Sequence, residues 1–534
     1  MNQRETTWLR KIIFPTIVIL NVVSSVARVQ PAFAQVAPAN FDSVDTDVSA
    51  KMEELGIPGA ALVIVQDDQI VHLKAFGVAD GSGRPVTPQT PFFTGSTGKS
   101  VTALAIMQLV EAGKIELDTP VKTYLPWFRV ADANASEVIT VRQLLNMTSG
   151  IPQAVGRTQL ANTDLSDSAI EKNVRALADI KLIAPPGERY EYSNSNYVTL
   201  GMIIQAVTGQ SYETYIQEHI FTPLDMQNSF ASKTEAEQNG LAVGYQKWFG
   251  IPVASPNLPF TRGSLPAGDL NMSAEDFGHY LIAQLNHGSY QGVSVLSPAG
   301  IAKLHNPDIQ MPGLTDYYAM GWEVQHFQDV EVIRHNGEVP GYSADMFLVP
   351  QKNFAVAMMM NTYSPMLGIR VSRLPSSVLR MLLGQSVIPG FEFLHMQILY
   401  ALVMVIPFLH IIGVFATFRS IRFWRGNSQP PTQMQIGRDV ALPLIWNAVI
   451  AYVLLVTLPS TFGADIPTVI LFQPDVGWVA AISGIFAILL GVIITCIGIS
   501  ILRKTVKRTG IVSTFSTPHG VGNIGKSEKK GEKK

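Results

Sequence analysis

Two short apolar runs, Ala60 to Val65 and Ile70 to Phe76, alternate with polar positions and are separated by Asp67-Asp68. That pattern predicts a β-hairpin. From about Ser100 to His305 the apolar spacing turns helical and is interrupted by Gly and Pro. Strand-like runs return at Val330 to Arg334, Ser343 to Leu348 and Phe354 to Met359. Pro350-Gln351-Lys352-Asn353 supplies a turn between the last two. Strands at both ends with helices between them predict one α+β domain over residues 40–390. Its antiparallel sheet is expected to be closed by the two ends of that domain.

After Gly390 the pattern changes. Three apolar runs, about 396–418, 441–458 and 477–501, have the roughly 20-residue length that spans a bilayer. They define a three-helix region over residues 394–508. Arg419, Arg422, Arg425 and Arg438 lie between the first two runs, and no Lys or Arg lies between Pro459 and Val476. The basic tail, residues 509–534, follows further cationic residues such as Arg503, Lys504, Lys507 and Arg508. The positive-inside rule places the Arg loop and the tail in the cytoplasm. The N-terminus carries Arg4, Arg10 and Lys11, an apolar stretch from Ile12 to Val23, and Ala32-Phe33-Ala34. This reads as a signal peptide over residues 1–34, or as an uncleaved anchor. Either form sends the following domain out of the cytoplasm. The competing reading of the C-terminal region is a buried helical bundle.

Composition agrees with membrane segments. Charged residues make up 15% of the 534, against about 25% in soluble domains. Lys+Arg is 39 and Asp+Glu is 41, a net charge of -2 that gives no general pull toward nucleic acid. The single cysteine, Cys496, forms no intrachain disulfide and no thiolate zinc site. The ten histidines show no metal-binding spacing, and there is no phosphate loop. The expectation is an enzyme without metal or other cofactor.

Three stretches carry candidate chemistry. In Phe93-Thr94-Gly95-Ser96-Thr97-Gly98-Lys99-Ser100 a helix begins and runs on through Val101, Leu104, Ile106 and Leu109 to about Gly113. Its apolar residues cover most faces, which predicts burial. Ser96 and Lys99 are three apart and share a face. Burial lowers an amine pKa, so Lys99 can take the Ser96 proton. The plainer reading is a helix-capping serine. The same S-x-x-K spacing recurs at Ser527 and Lys530 in the tail. In Tyr190-Glu191-Tyr192-Ser193-Asn194, a tyrosine and an amide stand at a loop-to-helix junction. Tyr192 can relay protons and Asn194 can bind a carbonyl and a lysine. The plainer reading is a polar cap. His335-Asn336-Gly337-Glu338-Val339-Pro340-Gly341 is expected to end one strand and turn toward the next. A glycine there permits close backbone approach and an N–H aimed at an oxyanion. The plainer reading is a surface turn.

Taken in this order, the three stretches resemble the serine beta-lactamase and penicillin-binding-protein superfamily, in its class C beta-lactamase-related branch. That branch holds D-alanyl-D-alanine carboxypeptidases, D-aminopeptidases and esterases. Ile139 to Leu145, Thr148-Ser149-Gly150-Ile151-Pro152, Pro186-Gly187 through Leu200-Gly201, and Pro266-Ala267-Gly268-Asp269-Leu270 extend the resemblance over about residues 45–370. It implies an antiparallel sheet flanked by helices with an all-helical region beside it. It implies Ser96 as the acylated nucleophile, Lys99 as its general base or the partner that tunes it, and Tyr192 as proton shuttle. Asn194 would hold the substrate amide. The N–H groups of Ser96 and Glu338 would form the oxyanion hole, and His335 with Gly337 would complete the third motif.

Two positions depart from the pattern. His335 replaces a lysine, and histidine is mostly neutral at pH 7, which argues against strong beta-lactam hydrolysis. Asn146-Met147 replaces the commoner Thr-His. The expected function is a membrane-anchored extracytoplasmic serine hydrolase acting on cell-wall D-amino-acid peptides or esters. A beta-lactamase, or a catalytically silent sensor of wall fragments, is the alternative. Expected partners are a small-molecule or peptide substrate, including peptidoglycan, and membrane lipid, but no nucleic acid. The expected location is a bacterial cell membrane, crossed several times.

Overall fold

The computed structural model describes residues 41–365, 368–386, 394–426, 432–461 and 463–509. The expected signal or anchor at 1–34, and the tail from residue 510 onward, lie outside the described residues.

The first helix, α1 (Phe41–Leu55), leads into β1 (Gly59–Gln66) and β2 (Gln69–Gly77). These two strands pair antiparallel with Gln66 opposite Gln69, so Asp67-Asp68 is the turn, as the sequence predicts. Asp67 takes φ +59°, a left-handed conformation that aspartate tolerates. The helices α2 (Gly98–Glu111), α3 (Asn194–Thr208) and α4 (Ala274–Leu285) follow, with shorter helical turns between them. The chain then returns to strands: β3 (Ile309–Gln310), β4 (Tyr317–Tyr318), β5 (Glu323–Phe327), β6 (Val330–Val339), β7 (Tyr342–Val349) and β8 (Phe354–Met360). The helix α5 (Gly368–Leu382) closes this part.

The strands form one eight-stranded antiparallel sheet in the order β2-β1-β8-β7-β6-β5-β4-β3. β1 from the start of the domain pairs with β8 from its end, Ala61 opposite Met359. The sheet is therefore closed by the two ends of the domain, as expected. β1 does not alternate, however. Its residues Gly59 to Val65 are all buried. Helices cover both faces of this central strand, and a strand buried on both faces reads as a continuous apolar run. Val44 and Val48 of α1 and Leu374 and Val378 of α5 pack on Leu62, Ile64, Val356 and Met358. Phe277 and Leu281 of α4 and Val101 and Leu104 of α2 belong to the core on the other side, with Ala61, Val63, Ala357 and Met359.

Beyond α5 come α6 (Leu394–Gly426), α7 (Leu442–Tyr452), a short α8 (Ile466–Phe472) and α9 (Pro474–Thr509). Three helical stretches, Tyr400–Arg419, Leu442–Thr461 and Pro474–Ser500, are long and apolar enough to cross a membrane. They carry many exposed large apolar side chains, among them Phe408, Phe415, Ile445, Ile488 and Val492. A surface of that kind is unfavourable in water, which disfavours the buried-bundle reading.

Leu62 is fully buried in the central strand, whereas Val71 on β2 is 41% exposed. Leu62→Ala should cost about 2–5 kcal/mol in chemical denaturation of the detergent-solubilised chain. Val71→Ala should cost under about 0.5 kcal/mol.

Candidate active site

The nucleophile candidate sits on a turn. Gly95–Thr97 form one turn of 3₁₀-helix, and α2 starts at Gly98. Ser96 is not the cap of α2. That position is Thr97, and its side chain makes no capping bond. The helix is buried along nearly its whole length because apolar residues surround it, so Lys99 is carried into the core with 0% exposure. Its Nζ donates to Ser96 Oγ at 2.9 Å, to Asn194 Oδ1 at 2.8 Å and to the Ala267 carbonyl. Burial disfavours the charged amine and pulls its pKa down to about 7, while the Asp269 carboxylate partly holds it up. The same desolvation raises the buried Asp269 carboxyl to about 7, against the pull of Lys99.

Tyr192 and Asn194 arrive on the loop that enters α3. Met147 shapes that loop. Its carbonyl accepts from Glu191 N at 2.8 Å, and its sulfur lies 3.4 Å from Ser193 N. Met147 is fully buried at φ +58°, a strained backbone for a methionine. The residue that departs from the family pattern is thus a support for the second motif. Tyr192 is buried, its hydroxyl hydrogen-bonds the Ser96 side chain, and desolvation raises its pKa well above that of a free phenol. Lys99 Nζ lies 5.0 Å from its ring centroid.

The third stretch differs from expectation. His335-Asn336-Gly337 is not a turn: β6 continues through it to Val339, which pairs with Tyr342. The reversal falls at Pro340-Gly341, where Gly341 takes φ +77°. Alternate residues of β6 therefore address the site. A Cβ on Gly337 would lie 1.9 Å from Thr94 O, and a Cβ on Gly95 would lie 2.5 Å from Glu338 N. Both glycines are needed for the strand to touch the nucleophile turn. The contact brings the backbone nitrogens of Ser96 and Glu338 to the same junction of strand and turn, the place where N–H groups could hold an oxyanion.

His335 is 1% exposed. Its Nδ1 donates to Asn336 O at 2.6 Å, and its buried Nε2 has no hydrogen-bond partner. Burial, reinforced by Lys99, lowers its pKa to about 3. It is a neutral group here and supplies no fixed charge.

Ser96, Tyr192, Asn194 and Glu338 line one side of a cavity of about 460 Å³, together with Arg157, Glu323 and Tyr363, while Lys99 and His335 are buried behind that lining. That volume suits a small organic or peptide substrate. All seven residues singled out in the sequence converge: Ser96, Lys99, Tyr192, Asn194, His335, Gly337 and Glu338. Sequence reasoning missed Arg157, a cation in the cleft, and the part played by Asp269 and Ala267. The Pro266-to-Leu270 stretch signalled the latter two. Nothing in the local pattern marks Arg157.

Comparison with known proteins now decides the family. The family model described as Beta-lactamase matches residues 44–373. The chain belongs to the beta-lactamase family. Among its relatives is Protein flp of Staphylococcus aureus strain MW2, 30% identical over 323 residues, which are 60% of this chain and 63% of that protein. The chain thus spans less than two thirds of that relative's length. Penicillin-binding protein 4 of Amycolatopsis lactamdurans is 31% identical over 317 residues, 57% of this chain and 81% of that protein. The octameric penicillin-binding protein homologue from Pyrococcus abyssi superposes with a TM-score of 0.57 at 31% identity, covering 65% of this chain and 78% of that one. These matches cover the α+β part of the chain and bear out the beta-lactamase and penicillin-binding-protein resemblance.

Gly337→Ala tests the contact between strand and turn. The added methyl meets backbone, which cannot swing aside as a side chain can. The variant should lose about 1–3 kcal/mol of stability in denaturant unfolding. Ser343→Ala, on β7 opposite the neighbouring Glu338, adds no atoms and should not reproduce a steric effect.

Proposed function

We propose that the chain is a membrane-anchored, extracytoplasmic serine hydrolase that works through an acyl-enzyme on Ser96. The observation that carries this reading is the buried Lys99 amine, bonded to both Ser96 Oγ and Asn194 Oδ1. With a pKa near 7 it is partly neutral at physiological pH. Neutral Lys99 accepts the Ser96 proton as Oγ attacks a substrate carbonyl. The oxyanion that forms is held by the N–H groups of Ser96 and Glu338. Tyr192 passes the proton from Lys99 to the leaving group, and the acyl–Ser96 bond forms as the bond to that group breaks. Water then attacks the acyl carbon, its proton returns through the same groups, and Ser96 is freed. Asn194 fixes the substrate amide and the lysine together.

The substrate class is a D-amino-acid peptide or an ester, with peptidoglycan as the macromolecular source of the former. Relatives named as penicillin-binding proteins support the peptide branch. Neutral His335 argues against efficient beta-lactam turnover, since the fixed cation of a lysine is missing. Arg157 is the positive group left in the cleft to meet a substrate carboxylate. The topology follows from charge: the Arg-rich loop and the tail face the cytoplasm, and the catalytic domain faces out. The first turn of α9 contacts the catalytic domain, with Phe249 N donating to Asp475 Oδ2 at 2.7 Å. That contact supports placing the two on one side of the membrane.

The full chain in detergent, treated with a fluorescent penicillin and with a fluorophosphonate, should be labelled by at least one. Ser96→Ala should lower labelling more than about a thousandfold. Fluorophosphonate labelling without penicillin labelling would favour an esterase. A folded chain labelled by neither would overturn the reading.

The pH dependence follows from Lys99. Only the neutral amine is a base, so fluorophosphonate labelling of Ser96 should rise with pH through a midpoint near 7, not near the ordinary 10.5. Asp269 holds the Lys99 pKa up, so Asp269→Asn should move that midpoint to lower pH. A midpoint that stays fixed or moves upward would contradict the assigned role.

A further inference from the structure

The cavity beside Ser96 has a second wall, and that wall comes from outside the beta-lactamase match. Ala464, Thr468, Val469, Phe472, Gln473 and Val476 line it. All but Val476, which opens the third apolar helix, belong to the segment that joins the second and third apolar helices. The segment is seated firmly. Gln246 Nε2 donates to Leu471 O at 2.6 Å, and Ser364 Oγ donates to Gln473 Oε1 at 2.5 Å. The rings of Tyr363 and Phe472 meet edge to face at 6.1 Å. Asp475 is 1% exposed and accepts from Phe249 N of the catalytic domain and from Tyr400 OH of α6, each at 2.7 Å. One buried carboxylate thus ties the catalytic domain to two of the apolar helices. Gly477 lets α8 lie against α9, since a Cβ there would come within 2.6 Å of the Ile470 backbone.

The position of this wall bears on the substrate. Val476 lines the same cavity as Ser96 and sits in the first turn of an apolar helix that runs on to Ser500. Two residues further, about 3 Å along the axis, Trp478 is 47% exposed. An outward-facing tryptophan at the end of such a helix marks the membrane–water interface. The cleft therefore opens at the height of the membrane surface, polar at Ser96, Arg157 and Glu338 and apolar at Val469, Phe472 and Val476.

The geometry points to an amphiphilic acyl substrate held in the outer face of the membrane, its scissile carbonyl at Ser96 and its apolar chain along Val469, Phe472 and Val476. This inference rests on the serine-hydrolase reading and adds the substrate class to it. Each methylene buried on such a wall multiplies affinity by about fourfold at most.

The test uses the full chain in lipid nanodiscs with p-nitrophenyl acetate and p-nitrophenyl octanoate. Wild-type kcat/KM should favour octanoate by about tenfold or more. Phe472→Ala and Val469→Ala should each cut that ratio several-fold. Ile445→Ala, on an exposed face of α7 away from the cleft, should leave the ratio as in the wild type. Fluorophosphonate labelling of every variant reports an intact Ser96 site, so a lost preference is not mistaken for unfolding. A labelled wild type that turns over both esters equally would overturn the amphiphilic substrate while leaving the serine hydrolase standing. So would a ratio unchanged in labelled Phe472→Ala and Val469→Ala. A wild type that is not labelled at all would overturn the hydrolase reading itself.

Discussion

The site depends on keeping one amine out of water. Lys99 is at the start of a helix that is apolar on most sides, and its Nζ meets only Ser96, Asn194 and the Ala267 carbonyl as acceptors. A solvated lysine is protonated at neutral pH and cannot act as a base. Desolvation removes several kcal/mol of preference for the charged form, by the conversion of about 1.4 kcal/mol per pKa unit. The ammonium donates to all three, and the free amine keeps two of them, Asn194 Oδ1 and the Ala267 carbonyl, while its lone pair accepts from the Ser96 hydroxyl. The core packing of α2 is therefore also the chemistry of the site.

That burial draws on distant parts of the chain. The nucleophile turn is pressed between β6 and the Pro266-to-Asp269 turn. A Cβ at Gly268 would come 2.8 Å from the Gly95 carbonyl carbon, as one at Gly337 would meet Thr94 O. Gly268, Gly95 and Gly337 mark three backbones at closer range than side chains allow. The sheet order places β6 three strands from β1, where its His335-to-Glu338 end faces α2 and α3. Closure of the sheet by β1 and β8 is what holds β6 at that distance from Ser96.

Much of this was legible in the sequence, and the reasons are local. The Asp67-Asp68 turn, the apolar helix after Ser96 and the strands near the end each depend on neighbours within about ten residues. Spacing and turn residues marked Ser96, Lys99, Tyr192 and Asn194 as candidates, but their roles were legible only through the resemblance of the three stretches, in order, to the beta-lactamase family. Three features were not legible. His335-Asn336-Gly337 reads as a turn because Asn-Gly usually is one, but pairing with β7 keeps it extended through Val339. Met147 reads as an odd replacement, yet its carbonyl and sulfur shape the loop that carries Tyr192. Arg157 and the 464–476 wall reach the cleft only through tertiary packing, which no periodicity reports.

The wall and the lysine answer one physical requirement. A pKa near 7 on Lys99 survives only while water stays away from it, and a cleft open on one side would admit water whenever substrate is absent. Gln473 and Asp475, bonded to each other and to Ser364 and Phe249, hold an apolar surface across that opening. In a soluble relative this surface would have to come from the catalytic domain itself. Here it comes from the segment between two helices long and apolar enough to cross a membrane, so the surface facing Ser96 and the contacts that join those helices to the catalytic domain are set by neighbouring residues. Loosening that segment would remove the apolar surface opposite Ser96 and let water into the cleft, even with every catalytic side chain in place.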